Sequence, residues 1–336
     1  MRSVPVRALI LGVALVTGCK PEPFRPDAAE RPPDAPPPEW WQPRPTEAID
    51  WDIQLSETMF DVSAARGMYT IELFDAVPSM QTLDYGDGMP VTVPAGVHAM
   101  AMARLKAMTP APIVVCHVGT GAIRLDDPDA MKFPGWKTNP PDMPQMPESG
   151  SVIGWSTPFG TPKERFIDIT ESAMRGKVVS LIDKRLELAK KIGCDAVVTQ
   201  WDDQSAYQGA PGTGFMALKV EEFLSWSSAL TGKAHERKLS IGMRSTAVTA
   251  VENTHPYYDW LLFERCAERG DLECNNATKE YAGVQKAAFA LEYKRNEDDT
   301  ADNNITTLCM RLGAAGLKSR SIFKTTALDT VREPCP

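Results

Sequence analysis

Short apolar or β-branched runs recur along the chain, and the stretches between them carry apolar residues at helical spacing. The pattern predicts strands at Met68–Phe74, Ile113–Val118, Arg165–Ile169, Asp195–Thr199, Leu239–Met243, Trp260–Phe263, Ala287–Leu291 and Arg320–Phe323. Val178, Leu181, Ile182, Leu186, Ala189 and Ile192 predict a helix over Val178–Ile192, with Gly193 behind it as the C-cap. A second helix is predicted from Leu218 to about Arg237, with Val220, Phe223, Leu224 and Leu230 inward. Strands that alternate with helices predict parallel β/α units, and eight of them predict a single closed (β/α)8 barrel of the α/β class. The glycine-rich stretch from Gly209 to Gly214 contains Pro211 and follows no predicted strand, so it reads as a loop and not as a nucleotide-binding turn.

The ends of the chain change this picture. Arg2 and Arg7 precede an apolar run, Ala8–Val16, that is too short to span a bilayer, which takes ~20 residues. The run ends in Val16-Thr17-Gly18-Cys19, which resembles a bacterial lipobox, so residues 1–18 are expected to be a lipoprotein signal peptide and Cys19 the lipidated first residue of the mature chain. Lys20 stands where an aspartate would favour retention at the inner membrane, which points to the outer membrane. Eight prolines lie between Lys20 and Glu39, a composition that extends as polyproline II and builds no core. Residues 19–39 are therefore expected to be a linker, and 40–336 the barrel domain.

Eight Trp, eleven Phe and seven Tyr exclude disorder of the whole chain. A net charge of −8 with no Lys/Arg cluster excludes a nucleic-acid backbone as partner. Six cysteines remain beyond Cys19. Cys266 and Cys274 are expected to pair, as are Cys309 and Cys335, while Cys116 and Cys194 sit in apolar runs and read as buried thiols. His98, His117, His235 and His255 have no ligand spacing and there is no CxxC, so neither a metal nor another cofactor is expected. The chain is expected to be monomeric.

In a barrel of this kind the active site lies at the C-terminal ends of the strands. Those positions carry Glu72, His117, Asp168, Gln200-Trp201-Asp202-Asp203, Arg244, Glu264, Glu292-Tyr293 and Lys324, with Arg124 and Asp126 just beyond the second predicted strand. So many acids at one mouth require cations, either Arg124 and Arg244 or a cationic substrate. Trp201 and Tyr293 could stack on a sugar or hold an ammonium.

With these residues in view, the chain resembles glycoside hydrolase family 114, the endo-α-1,4-polygalactosaminidase-like barrels. The resemblance runs in order from Trp41-Gln42-Pro43 and Trp51-Asp52-Ile53-Gln54-Leu55 to Tyr293. Ile113-Val114-Val115-Cys116-His117-Val118-Gly119 with Arg124 and Asp126, Glu164-Arg165-Phe166-Ile167-Asp168-Ile169, Phe263-Glu264-Arg265-Cys266 and Leu291-Glu292-Tyr293 carry it. It implies cleavage of galactosamine-containing polysaccharide by carboxylate acid/base chemistry, with Glu264 at the position of the family's Asn-Glu-Gln-Cys glutamate. It also implies an aspartate after the fourth barrel strand, and there this chain has Gln200, which cannot ionise. Asp202 or Asp203 could supply that carboxylate from a shifted loop, since a two-residue shift in a strand keeps the face. Glu72, His117 and Met243-Arg244-Ser245 also depart from the family, which has Asp, Tyr and Leu-Lys-Asn there. Two functions are therefore expected: a surface-anchored glycosidase in which Glu72, His117, Arg124, Asp126, Asp168, Gln200, Trp201, Arg244, Glu292 and Tyr293 bind substrate, or a catalytically silent barrel that binds glycans.

Overall fold

In the computed structural model of the chain, residues 38–56, 59–137, 149–157, 164–170, 172–202, 204, 212–246, 251 and 254–336 are described. Eight short apolar strands lie side by side and parallel. In spatial order they are β1 (Trp51–Gln54), β2 (Met68–Glu72), β5 (Ile113–Gly119), β9 (Ala196–Gln200), β10 (Ser240–Ser245), β11 (Trp260–Glu264), β12 (Ala288–Tyr293) and β13 (Ser321–Lys324). β14 (Glu333–Pro334) adds a ninth strand, antiparallel to β13. Parallel neighbours need long crossovers, and helices fill most of them. These are α1 (Ala99–Ala107) before β5, α2 (Ser172–Ile192) before β9, α3 (Val220–Glu236) before β10, α4 (Cys266–Arg269) with α5 (Asp271–Gly283) before β12, and α6 (Ile305–Ala314) before β13.

The sheet curls until its two edges meet. Lys324 Nζ, fully buried, donates to Asp52 Oδ1 at 3.0 Å, and Arg332 Nε donates to the Trp51 carbonyl at 2.8 Å. Leu55 N–H reaches the Leu328 carbonyl at 2.9 Å across the same seam. The result is a mixed α/β fold with a barrel-like, curled nine-stranded sheet. Alternate strand residues point to opposite faces, so the strands carry two cores. Trp51, Ile53, Met68, Val115, Ala196, Val198, Trp260, Leu262, Phe289, Leu291 and Ile322 pack inside the curl, while Tyr69, Ile71, Val114, Val197, Ile241, Leu261 and Phe263 face the helices. Gly242 belongs to the inner set: a Cβ there would lie 2.4 Å from the Trp260 ring, so only glycine leaves room for that indole.

Two strand expectations are corrected. The predicted strand Arg165–Ile169 is not part of the parallel set. Glu164–Ile167 forms β8 in a separate antiparallel sheet with β6 (Ala122–Arg124) and β7 (Ile153–Ser156), in the order β6-β8-β7. Its place among the eight is taken by Trp51–Gln54, where all four residues are buried. Periodicity does not separate these two segments, because each is a four-residue strand with only two apolar residues, Trp51 and Ile53 in one and Phe166 and Ile167 in the other, and only the pairing partners differ. A remaining hairpin, β3 (Gln81–Leu83) with β4 (Val91–Val93), follows β2.

The pairs Cys266–Cys274 and Cys309–Cys335 form as expected, with Cα separations of 4.8 and 5.5 Å. Cys116 and Cys194 are not free thiols but a third disulfide, with Cα atoms 5.9 Å apart. They meet because β5 and β9 are neighbours in the sheet, an adjacency that 78 residues of intervening chain conceal. Closing a loop of that length is worth roughly 4–5 kcal/mol in the chain-entropy model. Cys19 and most of the proline-rich stretch lie outside the described residues. The described chain begins just before Trp40, which stacks on His235 at 4.1 Å and donates to Asp259 at 3.2 Å. Trp41 packs edge-on against Trp260, and Ala287 N–H bonds the Pro43 carbonyl at 2.9 Å. This segment therefore covers the N-terminal ends of β11 and β12.

Candidate functional site

The alternation that builds the inner core also selects the residues of the opposite, C-terminal rim. Two positions beyond an inward residue, a strand points inward again. From Thr70 this reaches Glu72, from Val115 His117, from Val198 Gln200, from Gly242 Arg244, from Leu262 Glu264 and from Leu291 Tyr293. Six consecutive strands, β2, β5, β9, β10, β11 and β12, thus deliver one polar side chain each to a common layer.

Most of that layer is one hydrogen-bonded chain. Glu72 Oε2 lies 2.6 Å from His117 Nδ1, and His117 Nε2 lies 3.0 Å from Arg244 Nη1. Arg244 donates from Nε to Glu264 Oε1 at 2.5 Å, its Nη2 forms an ion pair with the same oxygen at 2.5 Å, and Tyr293 OH donates to that oxygen at 3.0 Å. Among the described residues no donor reaches Glu264 Oε2, so one carboxylate oxygen is held and the other is not. Glu264 is 8% exposed and His117 3%. Burial works against the Arg244 charge, but Glu264 and Tyr293 more than offset it and hold the guanidinium protonated. Burial and the Glu264 charge raise the Tyr293 phenol well above its usual range, so it stays a neutral donor. Burial alone would raise Glu72, yet its carboxyl lies below the usual range because of His117, with Arg124 and Arg185 adding to the effect.

Behind Glu72 is a group that sequence reading missed. Arg185, on α2, lies between the Phe74 and Phe133 rings at 5.1 and 5.3 Å. It donates to Asp129 at 2.6 and 2.9 Å and to Asp127 at 2.9 Å. Burial pushes Asp127 up to about 7; Arg185 pulls against that, and Asp129 and Glu72 add to it. The acids Asp127-Pro128-Asp129 next to a buried helical Arg were the available signal, but nothing local shows that they meet α2.

Other expected site residues lie elsewhere. Glu292 has the opposite parity to Leu291 and Tyr293, so it points out of the curl: it accepts from Ala267 N–H at 2.7 Å, is fully buried, and burial pushes its carboxyl up to about 8. Asp202 does not follow Gln200 onto the inner face. Trp201 has φ 62°, a left-handed conformation that ends the strand alternation, and a Cβ on Gly121 would lie 2.0 Å from the Trp201 carbonyl. Beyond that kink Asp202 turns beneath α3, where Trp226 Nε1 and Tyr258 OH donate to it at 3.2 and 3.0 Å. The expectation that a two-residue shift keeps the face therefore fails at this loop. Asp203 lies outside the described residues. Trp201 packs edge-on against Phe166 at 5.6 Å, Asp168 caps its own turn through Thr170 N–H and Oγ1 at 2.9 and 2.6 Å, and Arg124 at the end of β6 pairs with Asp126 at 3.2 Å, both half-exposed.

Asp202 provides a stability test. Burial pushes its carboxyl up to about 6, against the hydrogen bonds from Thr120, Thr199, Trp226 and Tyr258 that pull it down. A folded pKa above the unfolded value means that the folded state holds the extra proton. This contribution is fully present below the unfolded pKa of ~3.9 and is lost as pH rises through about 6. Urea unfolding at stepped pH is expected to show wild-type stability falling over that window, relative to Asp202→Asn, by about 3 kcal/mol. Parallel curves for the two proteins would contradict the buried protonated carboxyl.

The model of the family described as "Glycoside-hydrolase family GH114" matches residues 30–336. Among solved structures, Ega3 of Aspergillus fumigatus in complex with galactosamine aligns with a TM-score of 0.64 and 22% identity, over 88% of this chain and 97% of that one. At this identity the likeness shows the fold. The pneumococcal virulence factor StrH aligns at a TM-score of 0.48 and 10% identity, over 82% of this chain and 73% of that one. Morphinone reductase in complex with tetrahydroNAD aligns at 0.42 and 12%, over 83% and 80%. No curated protein matches the chain.

Proposed function

The chain belongs to glycoside-hydrolase family GH114, and from that premise we propose that it cleaves α-1,4 linkages in a galactosamine-containing polysaccharide, with Glu264 as the acid/base. The observation that carries this reading is the asymmetry of Glu264: Oε1 is tied by Arg244 and Tyr293, while Oε2 has no donor among the described residues. Such a carboxyl can give its proton to the glycosidic oxygen as the C–O bond breaks, while water adds to the sugar carbon and loses its proton to a second carboxylate. The rim layer holds two carboxylates, Glu72 bonded to His117 and Glu264 bonded to Arg244, and one guanidinium, a balance that suits a cationic amino sugar. The galactosamine bound in the Ega3 structure supports the same choice. Because Gln200 cannot ionise and Asp202 is held beneath α3, Asp203 is the residue assigned as Glu264's partner.

A second reading has its own support. Gln200 is the inward residue of β9, so the position the resemblance reserves for a carboxylate carries none, as in a barrel that binds glycans without cutting them. Reducing-end release from partially deacetylated polygalactosamine separates the two. Release is expected; polymer bound without release would leave the binding reading.

We extend the proposal to architecture and address: the curled sheet is a closed (β/α)8 barrel, residues 1–18 are a signal peptide, and Cys19 carries a lipid at the outer membrane, with 19–39 as tether to a monomeric domain. The basic start, the short apolar run and the lipobox-like Val16–Cys19 support this. The Trp40–Pro43 segment lies at the N-terminal ends of the strands, so such a tether would leave from the end opposite Glu264. The Cys19→Ala protein is expected in the soluble fraction; retention with membranes would remove the anchor.

A further inference from the structure

Glu264 does not hold Arg244 alone, and the group on the other side of the guanidinium has no role in the chemistry above. His117 sits on β5, 3% exposed, between Glu72 and Arg244. Arginine has N–H donors and no acceptor, and it is not deprotonated in proteins. The 3.0 Å contact between Arg244 Nη1 and His117 Nε2 can therefore be a hydrogen bond only if Nε2 is bare. A neutral imidazole carries its single proton on the other nitrogen, and His117 Nδ1 is 2.6 Å from Glu72 Oε2, which accepts it. Glu72 thus selects the tautomer, and the tautomer presents a lone pair to Arg244.

We propose that His117 is a positioning residue: held by Glu72 as its neutral Nδ1–H tautomer, it orients Arg244 so that Nε and Nη2 both meet Glu264 Oε1 and leave Oε2 toward the substrate. The catalytic consequence rests on the glycosidase reading, whereas the tautomer does not. Protonation of His117 would put an Nε2–H against an Arg N–H and a second cation beside the guanidinium, so the His117–Arg244 bond breaks and Arg244 loses one of its two anchors. The surrounding groups fit such a switch. Glu72 on β2 faces Nδ1 and Arg244 on β10 faces Nε2. Beyond Glu72 are Arg124 and Asp127 on the chain after β5 and Arg185 on α2. From β9, the residue in register is the apolar Val198, followed on the inner face by the uncharged Gln200.

Two variants and one spectrum test this. Glutamine at 117 offers one donor and one acceptor, as the imidazole does, and does not titrate. His117→Gln, which keeps one donor and one acceptor, is expected to recover most of the turnover that a substitution without them loses. His117→Phe removes both bonds and is expected to lower kcat roughly 100-fold, the usual cost of a ~1 Å misplacement, with little change in KM. A Gln variant no more active than the Phe variant, or a folded Phe variant with wild-type kcat, would overturn the proposal. The ¹⁵N NMR spectrum of the wild-type imidazole is independent of any activity: a protonated Nδ1 and a bare Nε2 near neutral pH are expected, and an Nε2–H tautomer or an imidazolium would overturn the assignment. If wild type releases no reducing ends, the glycosidase reading falls, and the spectrum still decides the state of His117.

Discussion

In the Glu264→Gln protein, reducing-end release is expected to fall by roughly 10³-fold, within the range for loss of a general acid or base, while the polymer still binds. The substitution suits the site. A glutamine oxygen can take the place of Oε1 as acceptor for Arg244 and Tyr293, so the hydrogen bonds at 2.5 and 3.0 Å keep their acceptor and the amide nitrogen takes the place of Oε2. What is lost is the proton that Oε2 would carry to the leaving oxygen. The loss should therefore appear in kcat, with KM near wild type, and near-UV circular dichroism should not change. A variant that retains wild-type turnover would show that Glu264 is a structural partner of Arg244 and nothing more.

Gln200→Asp is expected to raise turnover by roughly 100-fold or more, the lower end of what a positioned general base contributes. Position 200 points inward from β9, and Arg244, on the next strand, separates it from Glu264 on the strand after that. An aspartate there would be a second carboxylate across one guanidinium from the first, fixed by a strand. In that background Asp203→Asn should no longer matter, whereas alone it should remove most of the natural activity. No gain from Gln200→Asp would mean that the rim does not need a carboxylate at this position, and would favour Glu72, the remaining inward acid, as the second group. A gain from undetectable activity would mean that the natural chain binds glycans and does not cut them.

Much of this site could be read before the fold was known. Glu72, His117, Gln200, Arg244, Glu264 and Tyr293 were all identified as strand-end residues, and the rim layer contains all six. The period-two rule, applied strictly, would also have removed Glu292, because Leu291 and Tyr293 cannot face inward together with the residue between them. The misplacement of Asp202 has a different origin. Its orientation depends on the left-handed backbone at Trp201, which the close approach of Gly121 accompanies, and those two residues are 80 positions apart.

By itself the sequence determined what local chemistry determines: apolar alternation made the strands, 3.6-residue spacing made α2 and α3, and order-preserved motifs indicated the family. Tertiary structure decided what depends on which segments become neighbours. It exchanged Arg165–Ile169 for Trp51–Gln54 in the parallel set and joined Cys116 to Cys194 across β5 and β9. It also placed Arg185 between Asp127 and Asp129 and linked Glu72, His117, Arg244 and Glu264 into one chain of hydrogen bonds. The physical reason is range. Propensity and periodicity act over a few residues, whereas a hydrogen bond or a disulfide requires two groups within a few ångströms of each other, and only the curl of the sheet brings side chains from five strands that close.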